Sequence, residues 1–168
     1  MTYFELFEIP VQLKINPTTL SARFFALSKQ FHPDYFARAE DTAQAEALEK
    51  SAMLNRAWKV FNNPDETIKY VLQLKGLLEE EEKYELPPAF LMEVLEINEQ
   101  LMDMETGGDT ASLTSVINNL QSEIYEPVKE VVEFYQEGIT TEKELLQVKE
   151  YYYKKKYLDR LRREMTSK

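Results

Sequence analysis

Apolar residues in the first half of the chain recur three and four positions apart. Leu20, Phe24, Leu27 and Phe31 form one such stripe, and Leu48, Ser51, Leu54, Ala57, Trp58 and Phe61 form a second. This spacing brings side chains to one face of a helix, so the pattern predicts two amphipathic helices that bury each other as an antiparallel pair. Asn16-Pro17 marks the first start, since Asn supplies a side-chain cap and proline at the first helical position forfeits no hydrogen bond. Pro33 ends that helix, because the residue before a proline is driven out of helical geometry. Asp41, with Gln44 three residues on, reads as a capping box for the second helix. A short apolar segment, Tyr3 to Phe7, precedes the pair. Asn63-Pro64 with Glu66 opens a short helix after it, which should stop at Gly76.

The pattern then breaks. The stretch from Leu78 to Pro88 carries glutamates without a helical stripe or calcium-loop spacing, and reads as a solvated linker. From Ala89 a stripe returns in Phe90, Val94, Ile97, Leu101 and Met104. Thr106-Gly107-Gly108-Asp109 should turn the chain, with Asp109 capping a helix that runs past Glu123 and that Pro127 kinks or splits. Gly138 should end that segment, and Thr141 with Glu144 is a capping box for a last helix reaching about Met165. The chain is predicted all-α. A helical hairpin with short flanking helices occupies residues 1–75, an acidic linker 76–87, and a three-helix bundle 88–168.

The helix from Ala89 is apolar on more than one side. Leu91, Met92, Leu95 and Met102 lie a third to half of a turn away from its stripe, beside Glu96 and Glu99. One core cannot readily bury both faces. Either the second face packs on the N-terminal domain or it is an exposed partner surface, for which adaptable methionine ringed by acidic groups is well suited.

Composition narrows the chemistry. The 168 residues include 4 Gly, a single His and no Cys, and the net charge is −10. Scarce glycine favours helices. Lacking cysteine, the chain forms no disulfide, thiolate nucleophile, zinc knuckle or all-cysteine iron–sulfur site. The negative charge argues against a nucleic-acid partner. No apolar run reaches membrane-span length, and Met1-Thr2-Tyr3-Phe4-Glu5 does not resemble a signal peptide, so a cytoplasmic protein without a membrane partner is expected. A solitary histidine builds no histidine pair, and no nucleophile–base pair, phosphate loop or ligand cluster is present. Neither an enzyme nor a bound metal or cofactor is expected. The basic tail around Tyr151-Tyr152-Tyr153-Lys154-Lys155-Lys156-Tyr157, with Arg160, Arg162 and Arg163, admits a nucleic-acid or membrane reading. Cations near a helix C-terminus in an otherwise acidic chain explain it more simply.

That solitary histidine stands in His32-Pro33-Asp34, on the turn between the two paired helices. Phe24, Leu27 and Phe31 before it, and Asn55-Arg56-Ala57-Trp58-Lys59-Val60-Phe61-Asn62-Asn63-Pro64 after it, resemble the J domain of the DnaJ co-chaperones over residues 1–75. Pro88-Ala89-Phe90-Leu91-Met92-Glu93-Val94-Leu95-Glu96 and Tyr157-Leu158-Asp159-Arg160-Leu161 resemble the C-terminal domain of the HscB family, the J-proteins of iron–sulfur cluster biogenesis. With no Gly/Phe-rich region, no zinc module and no cysteine-rich N-terminal extension, the resemblance is to the bacterial HscB type.

The resemblance implies a co-chaperone that stimulates the ATPase of a DnaK-type (HscA-like) chaperone. His32, Pro33 and Asp34 would dock on that chaperone, with Arg23 and Lys29 from the preceding helix. Asp34 would offer its carboxylate to an arginine of the partner, a charge-assisted bond. An iron–sulfur scaffold protein (IscU-like) would bind Leu91, Met92, Leu95, Glu96, Glu99 and Tyr157. Two departures stand out. Arg23 and Lys29 are the only cations of a helix that is usually densely basic, which predicts weak electrostatic steering. Tyr157 stands where phenylalanine is common. Two other readings remain open: a general J-protein for unfolded clients, and a helical adaptor in which the tripeptide is incidental.

Overall fold

The side chain of Asn16 accepts from the backbone amides of Thr18 and Thr19, and the helix it opens, α2, runs Pro17–Gln30. The computed structural model describes residues 1–104 and 110–166. Before α2 lies α1 (Tyr3–Phe7), closed at its start by a capping box between Thr2 and Glu5. After it come a 3-10 turn at Pro33–Phe36 and the long helix α3 (Asp41–Phe61). The antiparallel pair of α2 and α3 buries Leu20, Leu27, Leu54, Ala57 and Phe61, and α1 inserts Phe4 and Phe7 against Phe61. Phe24 stacks on Trp58 with ring centroids 4.2 Å apart.

Two details of α3 differ from expectation. Asp41 is its first helical residue and not its cap; Glu40 holds the cap position and makes no side-chain bond. Gln44 turns its amide backwards instead and donates to the carbonyls of Ala37 and Ala39, 3.1 Å each. A long amide reaches those loop carbonyls and ties the loop to the start of the helix. Leu48, placed in the stripe by its spacing, is 63% exposed, whereas Ala47 is 3% exposed. At this end α3 packs closely on the 3-10 turn, and the small residue faces inward.

The short helix α4 (Pro64–Leu74) is capped by Asn63, which accepts from Asp65 and Glu66. Gly76 ends it in the left-handed conformation (φ +72°). Its amide donates to Gln73, and that of Leu77 to Leu72, closing a Schellman motif.

The acidic linker is pinned rather than freely solvated. Glu80 accepts from Lys69 at 3.3 Å and Gln73 at 2.6 Å, Glu82 pairs with Lys149 at 2.6 Å, and Leu78 is buried. Tyr84 stacks on Tyr153 at 4.6 Å with the rings nearly parallel. These lysines and the tyrosine come from elements on either side of the linker, which the local sequence does not show.

The C-terminal half comprises α5 (Pro88–Asp103), α6 (Ala111–Tyr125), a 3-10 turn at Glu126–Val128, α7 (Lys129–Glu133) and α8 (Glu142–Thr166). Pro127 splits the second segment as its missing amide requires. Gly138 does not end α7, which stops earlier at Glu133. Gly138 (φ +81°) sits instead in a turn where the amides of Ile139 and Thr140 donate to Gln136. Thr141 and Glu144 form the predicted reciprocal cap of α8. The turn over Thr106–Asp109, with the cap expected at Asp109, lies outside the described residues. Helices α5, α6 and α8 bury Phe90, Val94, Ile97, Leu113, Ile117, Leu120, Val148, Leu158 and Leu161 between them. Helix α8 also packs along α4, so one apolar core runs through both halves.

Candidate partner-binding surfaces

His32 caps the 3-10 turn. Its Nδ1 accepts from the amide of Asp34 at 3.2 Å, and its carbonyl accepts from the amide of Tyr35 at 3.0 Å. Pro33 takes the first position, where its fixed φ suits the turn and its missing amide costs nothing. The acceptor role of Nδ1 leaves Nε2 to carry the proton of a neutral ring. The side chain of Asp34 is 91% exposed, and its Oδ2 lies 3.6 Å from His32 Nδ1. A carboxylate held by a capped turn yet open to solvent is suited to bonding a cation on another molecule.

The two cations of α2 are placed differently. Arg23 turns inward, donating from Nε to the carbonyl of Phe7 at 2.9 Å and pairing with Glu8. Lys29 is exposed and lines, with His32 and Asp34, a concavity that also contains Phe25, Ser28 and Tyr35. The exposure of Phe25 and Tyr35 did not stand out in the sequence. Phe25 lies off the core stripe, and the position after Asp34 has no helical register from which its exposure could be read.

On α5, Phe90, Val94, Ile97 and Leu101 face the bundle core, each at most 3% exposed. The second face is free of the N-terminal domain: Leu91 is 42% exposed, Met92 61%, Leu95 50% and Met102 77%. Leu91, Met92 and Leu95 are thus brought together on one surface, with Glu96 and Glu99 exposed beside them. Tyr157 of α8 is half-buried and meets α5 through Phe90, ring edge to face at 6.4 Å.

Lys154, Lys155 and Arg162 of the basic tail are engaged internally. Lys155 donates to Asp65 at 2.9 Å and to Asp159 at 2.8 Å. Arg162 bonds Asp159 at 2.9 Å, Asn118 at 3.1 Å, and Gln121. Lys154 pairs with Glu150 and lies over the Phe90 ring. Cations bonded this way do not make a phosphate-binding patch. Among the described residues no cluster of metal-ligating side chains occurs, and no helix is long and apolar enough to cross a membrane.

An antiparallel helical hairpin that presents His-Pro-Asp on its connecting turn, with a helical bundle packed against it, defines a J-domain protein with its own C-terminal helical domain. Residues 86–166 match the family model described as the HSCB C-terminal oligomerisation domain. Over 126 residues the chain is 36% identical to the co-chaperone protein HscB homolog of Vibrio vulnificus, covering 74% of each. The solved chaperone HscB from Vibrio cholerae superposes with a TM-score of 0.65 at 27% identity, covering 99% of this chain and 96% of that one. Human co-chaperone protein HscB shares the fold, with a TM-score of 0.79 at 24% identity over 99% of this chain and 81% of that one. The chain belongs to the HscB family, and its role is that of a co-chaperone in iron–sulfur cluster biogenesis.

Proposed function

We propose that this co-chaperone joins two partners. The face of Leu91, Met92 and Leu95, rimmed by Glu96 and Glu99 and flanked by Tyr157, binds an iron–sulfur scaffold protein of the IscU type. The turn of His32, Pro33 and Asp34 binds a DnaK-type chaperone of the HscA kind and stimulates its ATPase, so that the scaffold is captured as client. Arg23 and Lys29 support the second contact. Arg23 does so by holding α2 against α1, and Lys29 by direct contact.

The observation that carries this reading is the outer face of α5. Three large apolar side chains stay exposed on a helix whose opposite stripe already fills the core, and among the described residues no element covers them. Large apolar groups kept adjacent and exposed mark a binding surface. Asp34 supports the other half, being a carboxylate held out by a turn built from its own neighbours.

The test is an ATPase assay of the purified chaperone with this protein and the scaffold, added separately and together. Synergy is expected. Replacing Leu91, Met92 and Leu95 together by Ala should weaken scaffold binding by at least roughly thirtyfold, the size of a hot-spot loss. Asp34→Asn should abolish stimulation while leaving scaffold binding intact. Tight scaffold binding by the triple variant, or full stimulation by Asp34→Asn, would remove the corresponding half of the proposal.

A further inference from the structure

We propose that Phe25 and Tyr35 are the apolar anchors with which the J domain holds its DnaK-type chaperone, so that this association depends on ring burial more than on ionic steering. The inference rests on the reading of His32-Pro33-Asp34 as the chaperone-docking turn.

Phe25, Ser28 and Lys29 fall three and four positions apart on a face of α2 beside the core stripe, and His32 follows on the turn just past its end. Phe25 is 65% exposed and Tyr35 72%, so neither ring contributes to the hydrophobic core. With Ser28, Lys29, His32 and Asp34 they line one concavity of about 470 Å³. The Tyr35 ring meets His32 edge-on at 6.3 Å. A partner group that reaches the Asp34 carboxylate from within this concavity lies beside both rings and can cover them.

The charges around the concavity nearly balance, so beyond the Asp34 contact they steer association only weakly. Arg23 is bound by the Phe7 carbonyl and the Glu8 carboxylate, and the charge of Lys29 is offset by Asp34 in the same depression. Burying one exposed aromatic ring strengthens binding by roughly tenfold to a hundredfold. An exposed ion pair adds no more than about fivefold. The rings dominate. The matching partner surface carries an arginine for Asp34 beside an uncharged apolar patch wide enough for two rings.

The test is the chaperone's steady-state ATPase, titrated with the full chain at about 0.05 M and about 0.5 M salt, a range over which exposed charges become screened. The wild-type half-saturating concentration should change by less than roughly threefold. Phe25→Ala and Tyr35→Ala should each raise it about tenfold at both salts with the maximal rate retained, and Phe25→Leu should restore most of the loss. Half-saturation in Phe25→Ala equal to wild type, or a wild-type response that collapses at high salt, overturns the proposal. Asp34→Asn separates the two levels. If it abolishes stimulation while Phe25→Ala is silent, only the anchors fall; if both are silent, the docking reading falls with them. A dimer in sedimentation that Phe25→Ala dissolves would assign the face to a second copy and also overturn the proposal.

Discussion

Lys155 on α8 donates to Asp65 on α4 at 2.9 Å, joining side chains 90 positions apart, and keeps a bond of 2.8 Å to Asp159 on its own helix. Burial alone would lower the pKa of this ammonium, but its bonds to Asp159 and Asp65 outweigh that and hold it above the ordinary 10.5. The J domain and the bundle are thus latched by a charge sheltered from solvent as well as by apolar packing. Lys155→Met should destabilise the protein by about 1–3 kcal/mol in urea denaturation, because Asp65 is left short of its partner. A double-mutant cycle with Asp65→Asn should return a coupling of about 1–2 kcal/mol. Coupling near zero would show that packing alone holds the halves together.

The tyrosines beside this latch predict an alkaline limit to stability. Burial, followed by the nearby Glu66 carboxylate, raises Tyr152 from 10.0 to about 12, and burial with the Glu133 carboxylate does the same for Tyr125. Burial also drives Tyr151 upward. A folded-state pKa raised above the unfolded one gives stability that is complete below the unfolded value and lost as pH rises through the folded one. Lys155 acts in the same direction above 10.5. Melting temperature should be insensitive to these groups from neutral pH to 10.0 and fall steeply toward 12. Tyr152→Phe should reduce that alkaline loss by on the order of 1–2 kcal/mol. An unchanged profile in the variant would remove Tyr152 from this role.

Helix α5 should separate cleanly into a stability face and a binding face. Phe90→Ala is expected to cost about 3–5 kcal/mol, since the ring is 3% exposed. Leu91→Ala, Met92→Ala and Leu95→Ala should each change stability by no more than about 0.5 kcal/mol. Equilibrium denaturation of the four variants decides. A large loss in any of the last three would mean that the outer face has a structural role.

On α3 the neighbours Ala47 and Leu48 should respond in opposite ways. Leu48→Lys should be nearly neutral in thermal denaturation, within about 0.5 kcal/mol, because its side chain already meets water. Ala47→Leu should cost about 1–3 kcal/mol by overfilling the buried site that Ala47 occupies. The reverse ranking would restore the stripe that spacing alone suggests.

Much of the architecture is written locally. Asn16-Pro17, Asn63-Pro64 and Thr141 with Glu144 cap their helices as read, because a cap needs only a side chain and amides two or three residues away. Pro33 and Pro127 break helices for the same kind of reason, a missing donor and a steric clash with the chain's own preceding turn. The core stripes of α2 and α5 follow from a period fixed by backbone geometry. Where the expectation failed, the deciding partner was remote. Leu48 gave way to Ala47 because of what α3 packs against. Gln44 left its expected cap to satisfy loop carbonyls at Ala37 and Ala39.

The candidate sites divide along the same line. His32-Pro33-Asp34 and its place on a turn between paired helices were determined by the sequence itself, since a helix stop and a cap are local events. The sequence likewise placed Leu91, Met92 and Leu95 on a second apolar face of α5. Only the tertiary structure decided that this face stays uncovered, that Arg23 is drawn to Phe7 and Glu8, that Lys155 is bound to Asp65, and that Phe25 shares a concavity with Asp34. Periodicity states which residues share a side of a helix. What stands opposite that side depends on how separate helices meet, and that is settled by packing between segments distant along the chain.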